Sequence, residues 1–272
     1  MELNNSQISK NISESFNGGS IGQTIYVMWL REMKRFLRAK SRLISTLAMP
    51  FFFLLTMGFG LNSSFTLPGS PRGVNYLNFL VPSIIGMTML FTSLFAGISV
   101  LWDREFGFLK EIMVAPVKRS AVILGRIAGG ITTALIQGIL TLIVSFFLGF
   151  KILNPFGFIL AFVFMILIGG SFIGFGVAIA SVMTDTQGFS SIMNLITFPI
   201  FLLSGAFFPV SNFPSWLRPF AYINPLTYGI DGLRGSLIGF AQFPLSLSLG
   251  ILLGVGFLMV ALGSYLFSKI EV

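Results

Sequence analysis

The residues able to do chemistry in this chain are few, and the absent ones narrow the field. There is no cysteine and no histidine among the 272 residues. That removes disulfides, thiolate metal sites, thiol nucleophiles, the usual general base and the commonest zinc ligand. The acidic residues are Glu2, Glu14, Glu32, Asp103, Glu105, Glu111, Asp185, Asp231 and Glu271. On the hydropathy pattern each falls in a loop or terminal segment. No carboxylate pair is placed for intramembrane acid–base catalysis, and the titratable group of a proton relay is missing from the apolar segments. No G-x-x-x-x-G-K-[ST] loop occurs, so the chain does not hydrolyse nucleotide by that route. What remains is one alternating-charge cluster, Asp103, Arg104, Glu105, Lys110 and Glu111, and one acid–base pair, Asp231 and Arg234, spaced i, i+3 so that they can pair on one helix face.

The elements that must position these residues are apolar. The chain is 54% hydrophobic and 10% charged, with a mean hydropathy of +0.90, which excludes a soluble enzyme and a disordered chain. Long stretches almost free of charge cover residues 43–61, 77–101, 127–150, 155–183, 189–210 and 243–267. About 20 apolar residues cross the ~30 Å hydrocarbon core as a helix, so six transmembrane helices are predicted in an all-α membrane protein. Pro50, Pro82 and Pro199 lie inside spans, where a kink is tolerated. Gly170, Gly174 and Ala178 form a small-residue ladder of the kind that lets helices approach in lipid, repeated at Gly125–Gly129 and Gly250–Gly254.

The net charge of +8 is concentrated before the first span, between the second and third, and after the last. By the positive-inside rule both termini and the second loop are cytoplasmic in the plasma membrane, and the basicity is a topology signal, not a nucleic-acid signal. Residues 1–20, rich in Asn, Ser and Gly, read as a disordered cytoplasmic tail, leaving 21–272 as a single membrane domain.

Residues 23–42 form an amphipathic pattern. Ile25, Tyr26, Trp29, Leu30, Met33, Phe36 and Leu37 fall on one side, and Arg31, Lys34, Arg35, Arg38 and Arg42 on the other. This predicts a helix in the cytoplasmic headgroup layer with Trp29 at the interface, serving as an anchor or as a lever on a partner. In residues 102–126 a helix over 104–114 ends before Pro116. Its apolar knobs flanked by charges fit a docking surface and equally an interfacial helix whose charges sit in water. Residues 211–242 are too apolar for an open loop, yet broken by Pro214, Pro219 and Pro225, which predicts short external helices that enter the membrane and return.

The run L-W-D-R-E-F-G-F-L-K-E-I-M-V-A-P-V (101–117) resembles the membrane subunits of type-2 ABC transporters. So does L-S-G-A-F-F-P-V-S-N-F-P-S-W-L-R-P-F-A-Y-I-N-P-L-T-Y-G-I-D-G-L-R (203–234). The likeness is greatest to drug-resistance permeases of the daunorubicin type and to polysaccharide exporters, and covers roughly residues 22–272. The resemblance implies a non-catalytic permease subunit of an exporter for an amphipathic drug, lipid or lipid-linked glycan. It implies an interface helix containing Trp29, Arg31, Lys34, Arg35 and Arg38. A coupling helix over 104–115 (Arg104, Glu105, Phe106, Gly107, Lys110, Glu111 and Ala115, then Pro116) would sit in a groove of a separate ATPase subunit, with Glu105, Phe106, Gly107 and Glu111 near its centre. Asn224, Pro225, Tyr228, Asp231 and Arg234 would lie in the re-entrant external helices. Two permease copies, identical or paired, would meet in the lipid bilayer with two ATPase copies, which bind ATP and Mg; this chain would hold no cofactor. The competing reading is a self-sufficient ion-coupled carrier or channel.

Overall fold

A computed structural model describes residues 20–61, 75–109, 111 and 117–270, with backbone only at 40–45. Among these residues the secondary structure is entirely helical. Helix α1 (Ile21–Arg38) starts at a capping box: the Gln23 amide donates to Ser20 Oγ at 3.2 Å and the Ser20 amide to Gln23 Oε1 at 3.1 Å, satisfying two otherwise orphaned donors. Helix α2 (Lys40–Phe53) carries Pro50 and continues as a π-helical stretch, Leu54–Phe59. Helix α3 (Tyr76–Ala96) is capped by the Asn75 side chain and leads through Gly97 into α4 (Ile98–Glu105). Then come α5 (Arg119–Phe147), a 3-10 turn Pro155–Gly157 with α6 (Phe158–Val182), and α7 (Thr186–Leu202). The short α8 (Arg218–Ile223) and α9 (Pro225–Ile238) precede α10 (Leu245–Ser268).

Among the described residues four helical segments are long and apolar enough to cross a membrane: Tyr76–Glu105, Arg119–Phe147, Pro155–Val182 and Leu245–Ser268. The remaining two predicted spans are also helical, as α2 and α7, but each is shorter. Helix α3 forms the axis, with every residue from Tyr76 to Leu90 buried. It is flanked by α5, α6, α7 and α9, while α10 packs along α6 and α1 along α5. The ladder around Gly174 is such a contact: a Cβ there would lie 2.6 Å from the Met259 carbonyl carbon, and one at Gly263 would lie 2.7 Å from the Gly174 oxygen. Gly250 and Gly254 have no described neighbour within 4 Å, so the third small-residue pair does not mark a contact within this chain.

Three predicted boundaries move. The fifth run, 189–210, is helical only to Leu202, with turns and bends over 203–208. The second span extends past Leu101 to Glu105, and the third begins at Arg119 instead of 127. Asp103 and Arg126, assigned to a loop by their charge, are therefore residues of two long helices, each 3% exposed.

Candidate functional site

The Asp103 carboxylate is the focus of the end of the bundle where α1, α4 and α5 meet. Arg31 reaches it from α1 with two bonds, Nη1 to Oδ2 at 2.9 Å and Nη2 to Oδ1 at 2.5 Å. Arg35, one turn on, donates from Nη2 to Oδ1 at 3.2 Å. Arg126 of α5 donates from Nη2 to Oδ2. A carboxylate presents about four lone-pair sites, so one acid can accept all of these bonds. Arg35 also lies 3.6 Å from Glu32. The arginines balance against Asp103 and Glu32 with one positive charge in excess.

This arrangement requires α1 to turn its charges inward. Met28 and Met33 are buried while Tyr26 and Leu37 are 58% and 61% exposed, so the helix presents part of its apolar side outward and Arg31 and Arg35 to the bundle. Trp29 is held by α5, its Nε1 donating to Thr132 Oγ1 at 3.0 Å, and stacks on Tyr26. The close approach depends on Gly125 and Gly129. A Cβ at Gly125 would meet Met28 Cβ at 2.6 Å and the Ile25 carbonyl oxygen at 2.7 Å, and one at Gly129 would meet Glu32 Cβ at 2.6 Å. Those two glycines flank Arg126, the signal that could have placed it inside a packed helix. Lys34 and Arg38 remain exposed on the outer side of α1.

The predicted continuous helix over 104–115 is corrected. Helix α4 ends at Glu105, Phe106 forms a turn and Gly107 adopts φ +74°, a left-handed conformation that glycine adopts without steric cost. Gly107 is thus a break, not the centre of a helix. Beyond it Phe108 and Leu109 are helical again. Leu109 is buried, and the Phe108 ring lies 3.9 Å from the Arg31 guanidinium carbon. Phe106, 81% exposed, projects at the break, and Glu105 and Glu111 are exposed. Arg104 donates to the Met183 carbonyl at 3.3 Å, tying this tip to the α6–α7 turn. Lys110, Ala115 and Pro116 lie outside the described residues.

At the opposite end, the predicted pairing of Asp231 with Arg234 is also corrected: no salt bridge joins them among the described residues. Asp231 accepts from the Gln242 and Phe243 amides at 2.8 and 2.9 Å. Arg234 donates from Nε to the Phe79 carbonyl at 3.2 Å. Its Nη2 lies within bonding distance of Ser83 Oγ (2.5 Å), Gly205 O (2.9 Å) and Ala206 O (2.8 Å). The guanidinium also lies 3.6 Å from the Phe79 ring centroid, a cation–π contact. Asn224 caps α9, accepting from the Leu226 amide at 3.0 Å and donating to Ile200 O at 2.6 Å, with Pro225 at the first helical position. Tyr228 donates to Tyr222 O at 2.9 Å. These residues fold α9 back into the bundle, where every residue from Leu226 to Ile238 is buried, while α8 lies on the surface with only Ala221 buried.

Between α1, α2, α3, α4, α5 and α6 lies a cavity of about 500 Å³, bordered by Arg126 and by Phe91, Phe95 and Trp102. It opens beside the Asp103 cluster.

Residues 23–238 match the ABC-2 type transporter family. The chain is 29% identical over 231 residues to a putative transport permease, ycf38, of Cyanophora paradoxa, covering 84% of this chain and 79% of the relative. It is 26% identical over 230 residues to the inner membrane transport permease YadH of Escherichia coli K12, covering 83% of this chain and 87% of the relative. A probable multidrug ABC transporter permease of the same bacterium, YbhR, is 32% identical over 162 residues, 58% of this chain and 43% of the relative. An all-helical bundle with at least four membrane-length helices, matched over most of its length, makes this chain a member of the ABC-2 type transporter family and an ABC transporter permease.

Proposed function

We propose that the chain is one of two permease subunits of an exporter whose ATP and Mg are bound by a separate pair of ATPase subunits, and that its cargo is an amphipathic drug, a lipid or a lipid-linked glycan. Six spans complete the single membrane domain: the four long helices, α2 with its π-helical extension, and α7, whose 17 residues stand at the lower end of the spanning range. Both termini and the Asp103 end are cytoplasmic. Cysteines introduced at Ser215 and Ser120 test this in a chain that has none of its own. The first labels from outside the cell and the second only after permeabilisation; the reverse pattern overturns the orientation.

One observation carries the reading. Asp103 binds α1, α4 and α5 together directly behind the tip formed by Glu105, Phe106 and Gly107. A push on that tip from a partner is passed to three helices at once, through side chains that can exchange partners. Nucleotide binding that favours one arrangement of the ATPase pair then biases the arrangement of the permease. Among the described residues the two buried acids are both engaged, Asp103 by arginines and Asp231 by two amides, and Glu32 lies 3.6 Å from Arg35, which favours this reading over an ion-coupled carrier. Glu105→Lys with Glu111→Lys is expected to abolish ATP-dependent transport while insertion and thermal stability stay unchanged. Normal transport by that variant contradicts the coupling role.

A further inference from the structure

We propose that the cavity behind α1 is a binding site for a single-chain amphipathic anion, its carboxylate or phosphate head on Arg126 and its apolar chain lying along α5 toward Gln137. The volume of about 500 Å³ suits a small ligand, for which roughly 300–1,000 Å³ is usual. Arg126, Gly130, Thr133 and Gln137 all border it. Their spacing of four, three and four places them on one face of α5, with about 16 Å between the ends at 1.5 Å per residue. Opposite stand Phe91, Phe95 and Trp102. The site is therefore long, narrow and apolar, with a polar group at each end.

The polar groups have unused capacity. Arg126 is 3% exposed and donates from Nη2 to Asp103, yet its Nε and Nη1 have no partner among the described residues. Gln137, 1% exposed, has an Oε1 without a partner among the described residues; it accepts only, so an apolar chain end leaves it as it is and the selection rests on Arg126. A buried charged donor left without a partner bears its full desolvation penalty, so an anionic head that fills the Arg126 positions is stabilised by what the empty site lacks. Charge selects its sign. The charged residues bordering the cavity are Glu32, Arg35 and Arg126. Glu32 is 3.6 Å from Arg35, and the Asp103 cluster holds one positive charge beyond its acids. An anion completes that balance and a cation worsens it. The site lies within one protomer and needs no ATPase, so it stands or falls separately from the coupling reading.

Trp102 reports on the site. With Trp29→Phe and Trp216→Phe it is the one remaining tryptophan, and the purified full-length chain can be titrated with dibromostearate or a brominated lysophosphatidic acid. Saturable quenching is expected, at a midpoint at least ten-fold below that of the methyl ester of the same brominated acid. The lower of the two anionic midpoints distinguishes a fatty carboxylate from a phospholipid source. Thr92→Phe fills the cavity without touching a charge and is expected to remove the saturable component. Arg126→Lys is expected to raise the midpoint about ten-fold. If that variant fails to fold, the ester comparison and Thr92→Phe decide alone. Equal midpoints for acid and ester, stronger quenching by a brominated alkylamine, or saturable quenching that survives Thr92→Phe overturns the proposal.

Discussion

The two buried charge centres of this protein solve one problem in opposite ways. At the α9 end, Arg234 is surrounded by backbone carbonyls, a serine hydroxyl and an aromatic face, and Asp231 by backbone amides. Those partners belong to the chain path, so the contacts change only if the fold opens. At the α1 end, Asp103 is held wholly by arginine side chains from two other helices, and Arg126 retains donors without partners among the described residues. Side-chain contacts of this kind can be redistributed while the helices stay intact. On the proposed function the first centre is a brace and the second a joint, one holding its face of the bundle while the other lets helices shift.

Substitutions at the two centres test that contrast. The largest effect is expected from Asp103→Ala, which strands Arg126 as an uncompensated buried charge. Loss of one partner of such a pair costs about 3–5 kcal/mol, so a melting curve in detergent should show a lowered midpoint or no folded protein. An unchanged melt removes the joint from the account. Arg234→Met follows, leaving the Gly205 and Ala206 carbonyls without their charged donor at a cost of about 2–3 kcal/mol. Here expression and melting fall together, and variants that do insert transport the same cargo. Smallest is Asp231→Asn, which keeps an acceptor oxygen for one of the two amides and loses a charge-assisted bond, about 1–2 kcal/mol. Its signature is reduced stability with unaltered cargo preference; a changed preference would give Asp231 a role in handling substrate.

The helices were legible from the amino-acid sequence because lipid demands long uncharged runs: four of the runs lie in membrane-length helices, and the first and fifth in shorter ones, the fifth helical only to Leu202. At the start of α9 the sequence carries a local signal, an Asn cap followed by proline at the first position, beyond the break that Pro225 makes in the apolar run. The joint was not. Arg31 and Asp103 are 72 positions apart, and on a helical wheel Arg31 and Arg35 look like a solvated face until a buried acid supplies a partner. Arg126 was assigned to a loop because charges usually end spans, although Gly125 and Gly129 beside it marked a packed helix. Gly107 was absorbed into a helix because the surrounding charges and apolar residues alternate at helical spacing. Its left-handed φ is set by the turn after Phe106, which composition does not encode. Asp231 and Arg234 satisfy the spacing for a pair, yet stronger and nearer backbone partners on either side separate them.

On the proposed function the permease does no work of its own and receives it through the Asp103 end. Proteoliposomes holding the chain alone, set beside proteoliposomes holding it with its ATPase subunit, test this most directly. The chain alone is expected to concentrate no solute under a proton or sodium gradient, and the pair to do so only with ATP. Uphill accumulation by the chain alone would contradict the claim.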